Sequence, residues 1–347
     1  MERHLALDLT RGLAALGVAV YHWLLWNTGL KILSLGMFGV YLFFILSALT
    51  MAIVYSPTFG RGIDAAAAAT FFRNRVARLL PLLALVASAS WMLALYSGES
   101  ASPAAAKAFL TGSGFFALGP PGFLSNSTGA WTLGIELIFY AFVPLTLLSI
   151  ARISLRTLAA ATLLLLLAQH IYLAVLKDLT GDAHWDRYTA PLTFAPFFAL
   201  GFLVYRAAGE RRPVFLGAAL ALLGAIAGFS LVWQGDLFRA NGPFLLLTLL
   251  AGAAIYCANR APVPKPLQGP SRFLGDISYA LYLTHPFTYL VTGKLSDAVG
   301  APPAAAFLLS VPAAMLVAYA TFRLFERPAR ERLRGGRGPR PAVATLP

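Results

Sequence analysis

The stretch LALDLTRGLAALGVAVYHWLLW, residues 5–26, decides the fold of this chain. It is apolar and long enough to be a membrane-spanning helix, because about 20 apolar residues cross a bilayer. It nevertheless carries Asp8, Arg11 and His22. At about 100° per residue, the step from Arg11 to His22 ends about 20° beyond three full turns, so both side chains lie on one face. Ionisable side chains inside a span are costly, and this stripe therefore indicates a functional site.

The two ends of this polar stripe suit different chemistry. A neutral imidazole accepts a proton near pH 7, since its unperturbed pKa is about 6.5. A guanidinium stays charged and binds phosphate or carboxylate. The helix therefore predicts an anion-recognising end at Arg11 and a proton-transferring end at His22. An alternative stays open, in which Asp8 pairs with Arg11 at the membrane interface and His22 belongs to an aromatic belt beside Trp23.

The composition of the whole chain indicates a polytopic membrane protein. Of its 347 residues, 59% are hydrophobic and 12% are charged, whereas a soluble domain carries about 25% charged residues. The single cysteine, Cys257, permits no intrachain disulfide and no cysteine metal cluster, and we expect it to pack in the core. We predict an all-α transmembrane helix bundle of about ten spans, at residues 5–26, 36–55, 79–96, 131–150, 157–176, 190–206, 213–233, 243–259, 276–294 and 304–325.

The basic residues predict the orientation of these spans. The formal net charge is +13, and the Lys and Arg residues flank apolar spans, so they indicate topology rather than nucleic-acid binding. With both termini in the cytoplasm, the inside segments hold 20 of the 27 Lys and Arg residues and the outside segments hold six, with Arg11 inside a span. We therefore predict cytoplasmic termini in a bacterial-type inner membrane, a membrane domain at 1–326 and a disordered basic tail at 327–347.

Two further segments are predicted not to span the membrane. Residues 64–78 are rich in alanine and then basic, which is typical of an amphipathic helix on the cytoplasmic surface. Residues 97–130 form a connection rich in Gly, Pro and Ser. Within this connection, residues 109–118 are apolar but too short to span, and we expect them to dip into the membrane.

Six blocks of the sequence resemble the acyltransferase family 3 membrane proteins and occur in the order of that family. They are LDLTRGLAALGVAVYH at 7–22, GVYLFFILS at 39–47, FRNRVARLLP at 72–81, WTLGIELIFY at 131–140, LGDISYALYLTH at 274–285 and FERP at 325–328. Two positions depart from the family pattern: Ala48 stands in place of a glycine, and Asn74 in place of the first arginine of a basic pair. The second departure leaves Arg75 and Arg78 as the matched pair, with Arg73 as a substitute.

The resemblance implies an enzyme that moves an acyl group, in the simplest case acetyl, from cytoplasmic acyl-CoA to a hydroxyl of a carbohydrate or glycolipid at or beyond the outer membrane face. It implies that His22 is the general base, that Arg11 helps to place the donor, and that three arginines hold the CoA phosphates, namely Arg73, Arg75 and Arg78. Acyl-CoA is then a donor substrate, and neither a resident cofactor nor a metal is expected. Without the resemblance, the basic cluster is also typical of a positive-inside flank on anionic lipid.

A carboxylate within the fourth predicted span needs a partner, because an unpaired charge in the membrane is costly. This carboxylate is Glu136, which shares a helix face with Thr132 and Tyr140 at a spacing of four residues. Two interpretations stay open. Either Glu136 orients His22 or Arg11 and takes part in catalysis, or it ties the helices of the bundle together.

A second polar face lies in the ninth predicted span, where Ser278, Tyr282 and His285 are spaced by four and three residues. Pro286 is expected to kink this helix. We expect the three polar side chains to contact substrate. His285 is the second candidate for the general base, and a structural hydrogen-bonding role for it stays open.

Alternatives to this function also stay open. A secondary transporter or flippase would use the intramembrane charges along its pathway, and its broken helices would occur in paired half-repeats. A membrane acyltransferase of another fold would also use an intramembrane histidine. Within the family, the acceptor could instead be a small secondary metabolite, and the donor a succinyl or longer acyl-CoA. We expect direct transfer without an acyl-enzyme, and the oligomeric state is undecided.

Overall fold

The fold is all-helical in the residues that the structure describes, and no strand occurs in them. The computed structural model describes residues 3–175, 178–207, 209–233 and 241–334. Turns of 3₁₀ helix occur at Phe115–Leu118 and Pro191–Phe194, and a π turn occurs at Phe322–Glu326. The α-helices are α1 (Leu5–Thr28), α2 (Leu33–Phe59), α3 (Ala65–Tyr96), α4 (Ala101–Ser113), α5 (Pro121–Leu124), α6 (Ala130–Arg152), α7 (Leu155–Val175), α8 (Gly181–Tyr188), α9 (Ala195–Arg206), α10 (Val214–Val232), α11 (Asn241–Asn259), α12 (Lys265–Ala298), α13 (Pro303–Thr321) and α14 (Arg327–Leu333).

Each of the ten predicted spans falls on a helix, but fewer helices are apolar enough to count as spans by composition. Seven helical segments are long and apolar enough to cross a membrane, or eight if the bent pair of α8 and α9, with an angle of 57°, is one span. Helices α1 and α12 are not among the seven, and both carry polar residues of the predicted site. The all-α membrane class is therefore confirmed, whereas the count of ten spans and the cytoplasmic termini stay predictions.

Residues 65–78 are helical as predicted, but they do not form a separate surface helix, because they begin one continuous helix, α3. Asp64 caps this helix, and its carboxylate accepts a hydrogen bond from the backbone N–H of Ala67 at 2.8 Å. Pro81 lies inside α3 without ending it. Arg75 is consequently buried in the bundle instead of lying on a membrane surface.

The two segments that flank the bundle are more ordered than the sequence predicts. The connection at 97–130 folds into α4, a 3₁₀ turn and α5, which pack on α3 and α6. The predicted disordered tail begins instead with a helix, α14, which packs against α3. The reason is that α13 continues through the π turn directly into α14. The rest of the predicted tail, 335–347, lies outside the described residues.

Helix α1 lies at the centre of the bundle and packs against α2, α11, α12 and α13. Its closest approach is to α12, where two glycines remove the steric obstacle. A Cβ atom on Gly12 would lie 2.3 Å from Cβ of Leu274, and one on Gly275 would lie 2.5 Å from Cβ of Asp8. Because the two backbones meet this closely, the polar face of α1 comes into contact with the polar face of α12.

Candidate functional site

Two histidines from the two central helices form a hydrogen-bonded pair. His22 Nδ1 lies 2.9 Å from His285 Nε2, and His285 Nδ1 lies 2.9 Å from the carbonyl oxygen of Leu281. A carbonyl only accepts, so His285 carries its proton on Nδ1, and its Nε2 must accept from His22 Nδ1–H. This series of hydrogen bonds leaves Nε2 of a neutral His22 without a proton. The free lone pair of that atom is the basic group of the site.

Aromatic rings hold both imidazoles in place. Trp26 stacks on His22 with ring centroids 4.8 Å apart, and the two imidazole rings are nearly parallel at 5.0 Å. Tyr289 meets His285 edge to face at 5.6 Å. His285 is only 1% exposed, whereas His22 is part-buried. His22 is therefore the member of the pair that a substrate reaches.

His22 lines a large cavity, which we call the outer cavity because the predicted topology places it toward the outside. Its volume is about 1070 Å³, at the upper end of the range for small-molecule sites, about 300–1,000 Å³. Charged residues in its lining are Glu99, Lys107, Lys294 and Asp297. Aromatic residues dominate the rest of the wall, among them Tyr21, Trp26, Trp91, Trp131, Trp185, Tyr188, Tyr282 and Tyr289.

Two polar atoms of the outer cavity wall have no hydrogen-bond partner among the described residues. They are Nε1 of Trp91 and the hydroxyl of Tyr289, both of which are buried atoms. Sequence reasoning missed these two residues. For Tyr289 a signal existed, because it continues the polar face of Tyr282 and His285 by one more helical step. Such orphaned groups are ready to bind a polar ligand, since a buried polar group without a partner is costly.

A second, smaller cavity of about 240 Å³ holds most of the other predicted site residues, and we call it the inner cavity. Its wall contains Val40 and Tyr282, which also line the outer cavity, so the two cavities adjoin there. Arg73 is exposed on α3 and does not line it. The predicted site residues in this wall are Arg11, Arg75, Arg78, Glu136, Ser278 and Tyr282.

Arg75 brings a buried positive charge to the inner cavity, whose wall also holds Glu136, a carboxylate bonded to hydroxyl groups. It is 9% exposed, and its guanidinium lies over the rings of Tyr55 and Tyr140 at 5.6 and 5.7 Å. Its Nη2 donates to the Tyr55 hydroxyl at 3.4 Å, and its Nε has no partner in the described ranges. Neither Arg75 nor Arg78 forms an ion pair there. A buried guanidinium in this state is a binding group for an anion.

Arg11 faces the inner cavity while belonging to the helix of His22. Its Nη1 lies 3.6 Å from Asp8 Oδ1, and Asp8 is also paired with Arg3. Arg3 reaches across to Asp276 on α12 at 2.8 Å. Burial lowers the pKa of Arg3, but the hydrogen bonds and charges of Asp8 and Asp276 outweigh burial and leave the pKa raised. The weak pairing of Arg11 with Asp8 leaves its guanidinium available to a ligand.

Glu136 bonds to hydroxyl groups rather than to His22. Its Oε1 accepts from Ser47 Oγ on α2 at 2.5 Å and from the hydroxyl of Tyr140. Neither His22 nor Arg11 is its hydrogen-bond or ion-pair partner in the described residues, although Arg11 is within electrostatic range. This geometry favours the interpretation of Glu136 as a tie between α2 and α6 that also contributes negative charge to the inner cavity.

Tyr282 forms the partition between the two cavities. Its hydroxyl lies 3.0 Å from Thr132 Oγ1 and 3.2 Å from the carbonyl oxygen of Gly129, both at the start of α6. Gly129 has a φ of +77°, and a Cβ there would lie 2.8 Å from the Tyr282 hydroxyl, so a side chain would displace this contact. Ser278 is buried and donates to the carbonyl oxygen of Gly275 at 2.9 Å.

The helix bundle thus places a histidine pair at the wall of one cavity and arginines in the wall of the next. The acyltransferase family 3 model, described as an acyltransferase domain, matches residues 4–323. The chain therefore belongs to this family. The resemblance drawn from the six sequence blocks is confirmed.

Two curated relatives are similar to this chain. The exopolysaccharide production protein ExoZ of Rhizobium meliloti (strain 1021) is 29% identical over 212 residues, which cover 60% of this chain and 63% of ExoZ. The candidate peptidoglycan O-acetyltransferase YrhL of Bacillus subtilis (strain 168) is 27% identical over 359 residues, which cover 93% of this chain and 54% of YrhL. The chain thus spans less than two thirds of the length of either relative. No solved structure gives a significant match.

Proposed function

We propose that this protein is a membrane O-acyltransferase that moves an acyl group, in the simplest case acetyl, from cytoplasmic acyl-CoA to a hydroxyl of a carbohydrate or glycolipid at the outer membrane face. The observation that carries the proposal is the basic Nε2 of His22, held by His285, at the wall of an aromatic cavity. The names of the relatives support a polysaccharide-type acceptor, since one concerns exopolysaccharide production and the other peptidoglycan O-acetylation.

The inner cavity suits the donor. Arg75 and Arg78 in its wall form no ion pair in the described residues, and CoA carries phosphate groups that guanidinium binds through paired hydrogen bonds. The acyl thioester would extend from these arginines toward Tyr282, where the two cavities adjoin. This placement agrees with the predicted topology, in which Arg75 and Arg78 lie near the cytoplasm.

The outer cavity suits the acceptor. Aromatic rings offer apolar faces to the C–H faces of a sugar ring, and a few polar atoms fix its orientation. The unpartnered Trp91 Nε1–H and Tyr289 hydroxyl are suited to sugar hydroxyl groups. A cavity of about 1070 Å³ holds more than one sugar unit, which fits a polymer or lipid-linked acceptor better than a small metabolite.

Transfer requires one proton to move from the acceptor hydroxyl to His22 and then from His22 to the CoA thiolate. The acceptor hydroxyl donates to His22 Nε2 and loses its proton as its oxygen attacks the thioester carbonyl. The tetrahedral intermediate expels the CoA thiolate, which takes the proton from His22 Nε2–H. During the step His22 is positively charged, and its Nδ1–H donates to neutral His285, which keeps the ring oriented. A thioester is already activated, so the proposed transfer is direct and passes through no acyl-enzyme.

The test compares the wild type with His22→Ala, using labelled acetyl-CoA and an oligosaccharide acceptor in proteoliposomes. We expect acceptor-dependent release of CoA thiol and labelled product from the wild type. Because general base catalysis is worth about 10²–10⁴-fold, we expect a loss of that size in the variant, while its elution as a folded protein is unchanged. Unchanged transfer by folded His22→Ala would overturn the role of His22.

The transporter or flippase alternative predicts a different result, namely uptake driven by an ion gradient without thiol release. It also expects broken helices in two matching half-repeats. The described residues contain one bent pair, α8 with α9. This observation does not favour a transporter.

A further inference from the structure

The C-terminal helix α14 carries arginines beside α3, although its sequence predicts a disordered tail. Helix α14 packs against α3, the helix of Arg75 and Arg78. Arg330 and Arg334 are four residues apart and therefore share one helix face. Arg334 is within electrostatic range of Arg75 and Arg78, and Arg330 is within range of Arg78.

A buried carboxylate fixes the position of this helix. Glu326, at the end of the π turn, is 4% exposed, and its Oε1 lies 4.0 Å from Arg330 Nη1. Its Oε2 has no hydrogen-bond partner among the described residues. Glu326 is also within electrostatic range of Arg78. The carboxylate thus stands between the arginine of α3 and the arginine of α14 and holds them near each other.

Positive charge remains in excess at this place. The four arginines gathered here are Arg75, Arg78, Arg330 and Arg334. The carboxylates within range of Arg330 are Glu326, Asp276 and Glu331, of which Asp276 is already paired with Arg3 and Glu331 with Arg327. Like charges brought together in a partly buried place repel one another unless an anion joins them. The cluster is therefore suited to a ligand with several phosphate charges.

We propose that Arg330 and Arg334 bind the 3′-phosphate at the adenosine end of the acyl-CoA donor. This inference rests on the proposed function. The order of the chemical groups along the acyl-CoA molecule supports it. When the thioester lies at Tyr282, the pyrophosphate is the next charged group and lies at Arg75 and Arg78 in the wall of the inner cavity. The 3′-phosphate lies further along the molecule, where α14 adds its two arginines. A phosphate monoester carries about −1.5 to −2 charges at pH 7 and takes guanidinium donors readily.

The test compares acetyl-CoA with acetyl-3′-dephospho-CoA in the wild type and in Arg334→Gln. Arg334 is the first choice because it is exposed and forms no ion pair in the described residues, so the variant should fold. We expect the loss of either the phosphate or the guanidinium to raise the donor KM about tenfold, with kcat retained. Because both changes remove the same contact, their effects should not add. Arg334→Lys should restore part of the affinity.

A matched control comes from the same helix. Arg332 lies two residues from both arginines, about 200° around the helix, and points away from them. Arg332→Gln should leave the KM for both donors unchanged. An equal loss in Arg332→Gln and Arg334→Gln, or a loss in Arg334→Gln that is the same for both donors, would overturn the proposal.

Binding measured without turnover separates this inference from the proposed function. Calorimetry of the purified protein with CoA and with 3′-dephospho-CoA should show tighter binding of CoA in the wild type and a clearly smaller preference in Arg334→Gln, which keeps only Arg330. If this preference is found but no acceptor is acylated, the proposed function fails and the inference stands. If Arg334→Gln leaves the affinity for CoA unchanged and alters only the interaction with anionic phosphatidylglycerol in nanodiscs, the cluster binds lipid headgroups and the inference is wrong.

Discussion

The outer and inner cavities share a wall but differ in size, charge and the kind of group they offer. The outer cavity, at about 1070 Å³, is walled by aromatic rings and carries a histidine pair. The inner cavity, at about 240 Å³, has three arginines and one glutamate in a wall of otherwise uncharged residues. Under the proposed function, this difference divides recognition of the charged donor and of the neutral, extended acceptor between the two cavities. Changes in one compartment should therefore affect one substrate only.

Apart from the loss of His22 itself, substitution of His285 is expected to have the largest effect among changes in the outer cavity. His285→Phe keeps a flat ring beside His22 but removes the acceptor for His22 Nδ1–H. Since loss of such an orienting partner typically costs about 10–100-fold, we expect kcat to fall by that amount and the KM values to change little. His285→Gln offers an amide oxygen as acceptor and should recover part of kcat. A fully active His285→Phe would show that the pair is not used in turnover.

Substitutions in the inner cavity should change the KM for the donor alone. Arg75→Gln removes a buried guanidinium, and charged hydrogen bonds are worth about 1.5–3 kcal/mol, so we expect the KM for acyl-CoA to rise about 10–100-fold. The KM for the acceptor should stay constant in the same steady-state assay. Arg73→Gln is the matched control, because Arg73 is exposed on the same helix and outside the cavity wall. Equal effects of the two substitutions would mean that basic charge near the membrane, rather than a built site, attracts the donor.

Trp91→Phe should have a smaller effect, on the KM for the acceptor instead of the donor. This change removes only the unpartnered Nε1–H in the wall of the outer cavity. We expect the acceptor KM to rise about fivefold, the size of one neutral hydrogen bond of about 1 kcal/mol, while the donor KM is constant. Trp233→Phe, outside both cavity walls, serves as control. A change in the donor KM would contradict the division between the compartments.

The smallest effect is expected at Glu136. In Glu136→Gln the side-chain carbonyl still accepts from Ser47 and Tyr140, so the tie between α2 and α6 persists. We expect normal assembly by size-exclusion chromatography and a change in kcat of less than about threefold, since general acid-base roles are usually worth much more. A large loss of kcat in an assembled protein would instead give Glu136 a catalytic role.

Periodicity in the sequence predicts which side chains share a helix face, but not which faces meet. The common face of Arg11 and His22 follows from their spacing, as does that of Ser278, Tyr282 and His285. The contact between His22 and His285 joins residues far apart in the chain, and it depends on the close approach of α1 and α12 at Gly12 and Gly275. Neither motif taken alone carries this information.

The errors at the inner side have one physical origin. Residues 64–78 and 327–334 are basic and suit a surface or a disordered tail by composition alone. In the fold neither segment stands apart: residues 65–78 begin the long helix α3, and residues 327–333 form α14, which continues α13 through the π turn. Composition also does not distinguish Arg73 from Arg75, which differ in burial only because they point to opposite sides of α3.

The partition at Tyr282 has a consequence for the electrical insulation of the cell. A polar passage open at both ends would leak protons and ions down the membrane potential, at about 2.3 kcal/mol per charge per 100 mV. The neutral ring of Tyr282, whose hydroxyl contacts Thr132 and Gly129, lies in the wall that the two cavities share. Under the proposed function, an acyl group without net charge would pass this ring while protons and ions would not.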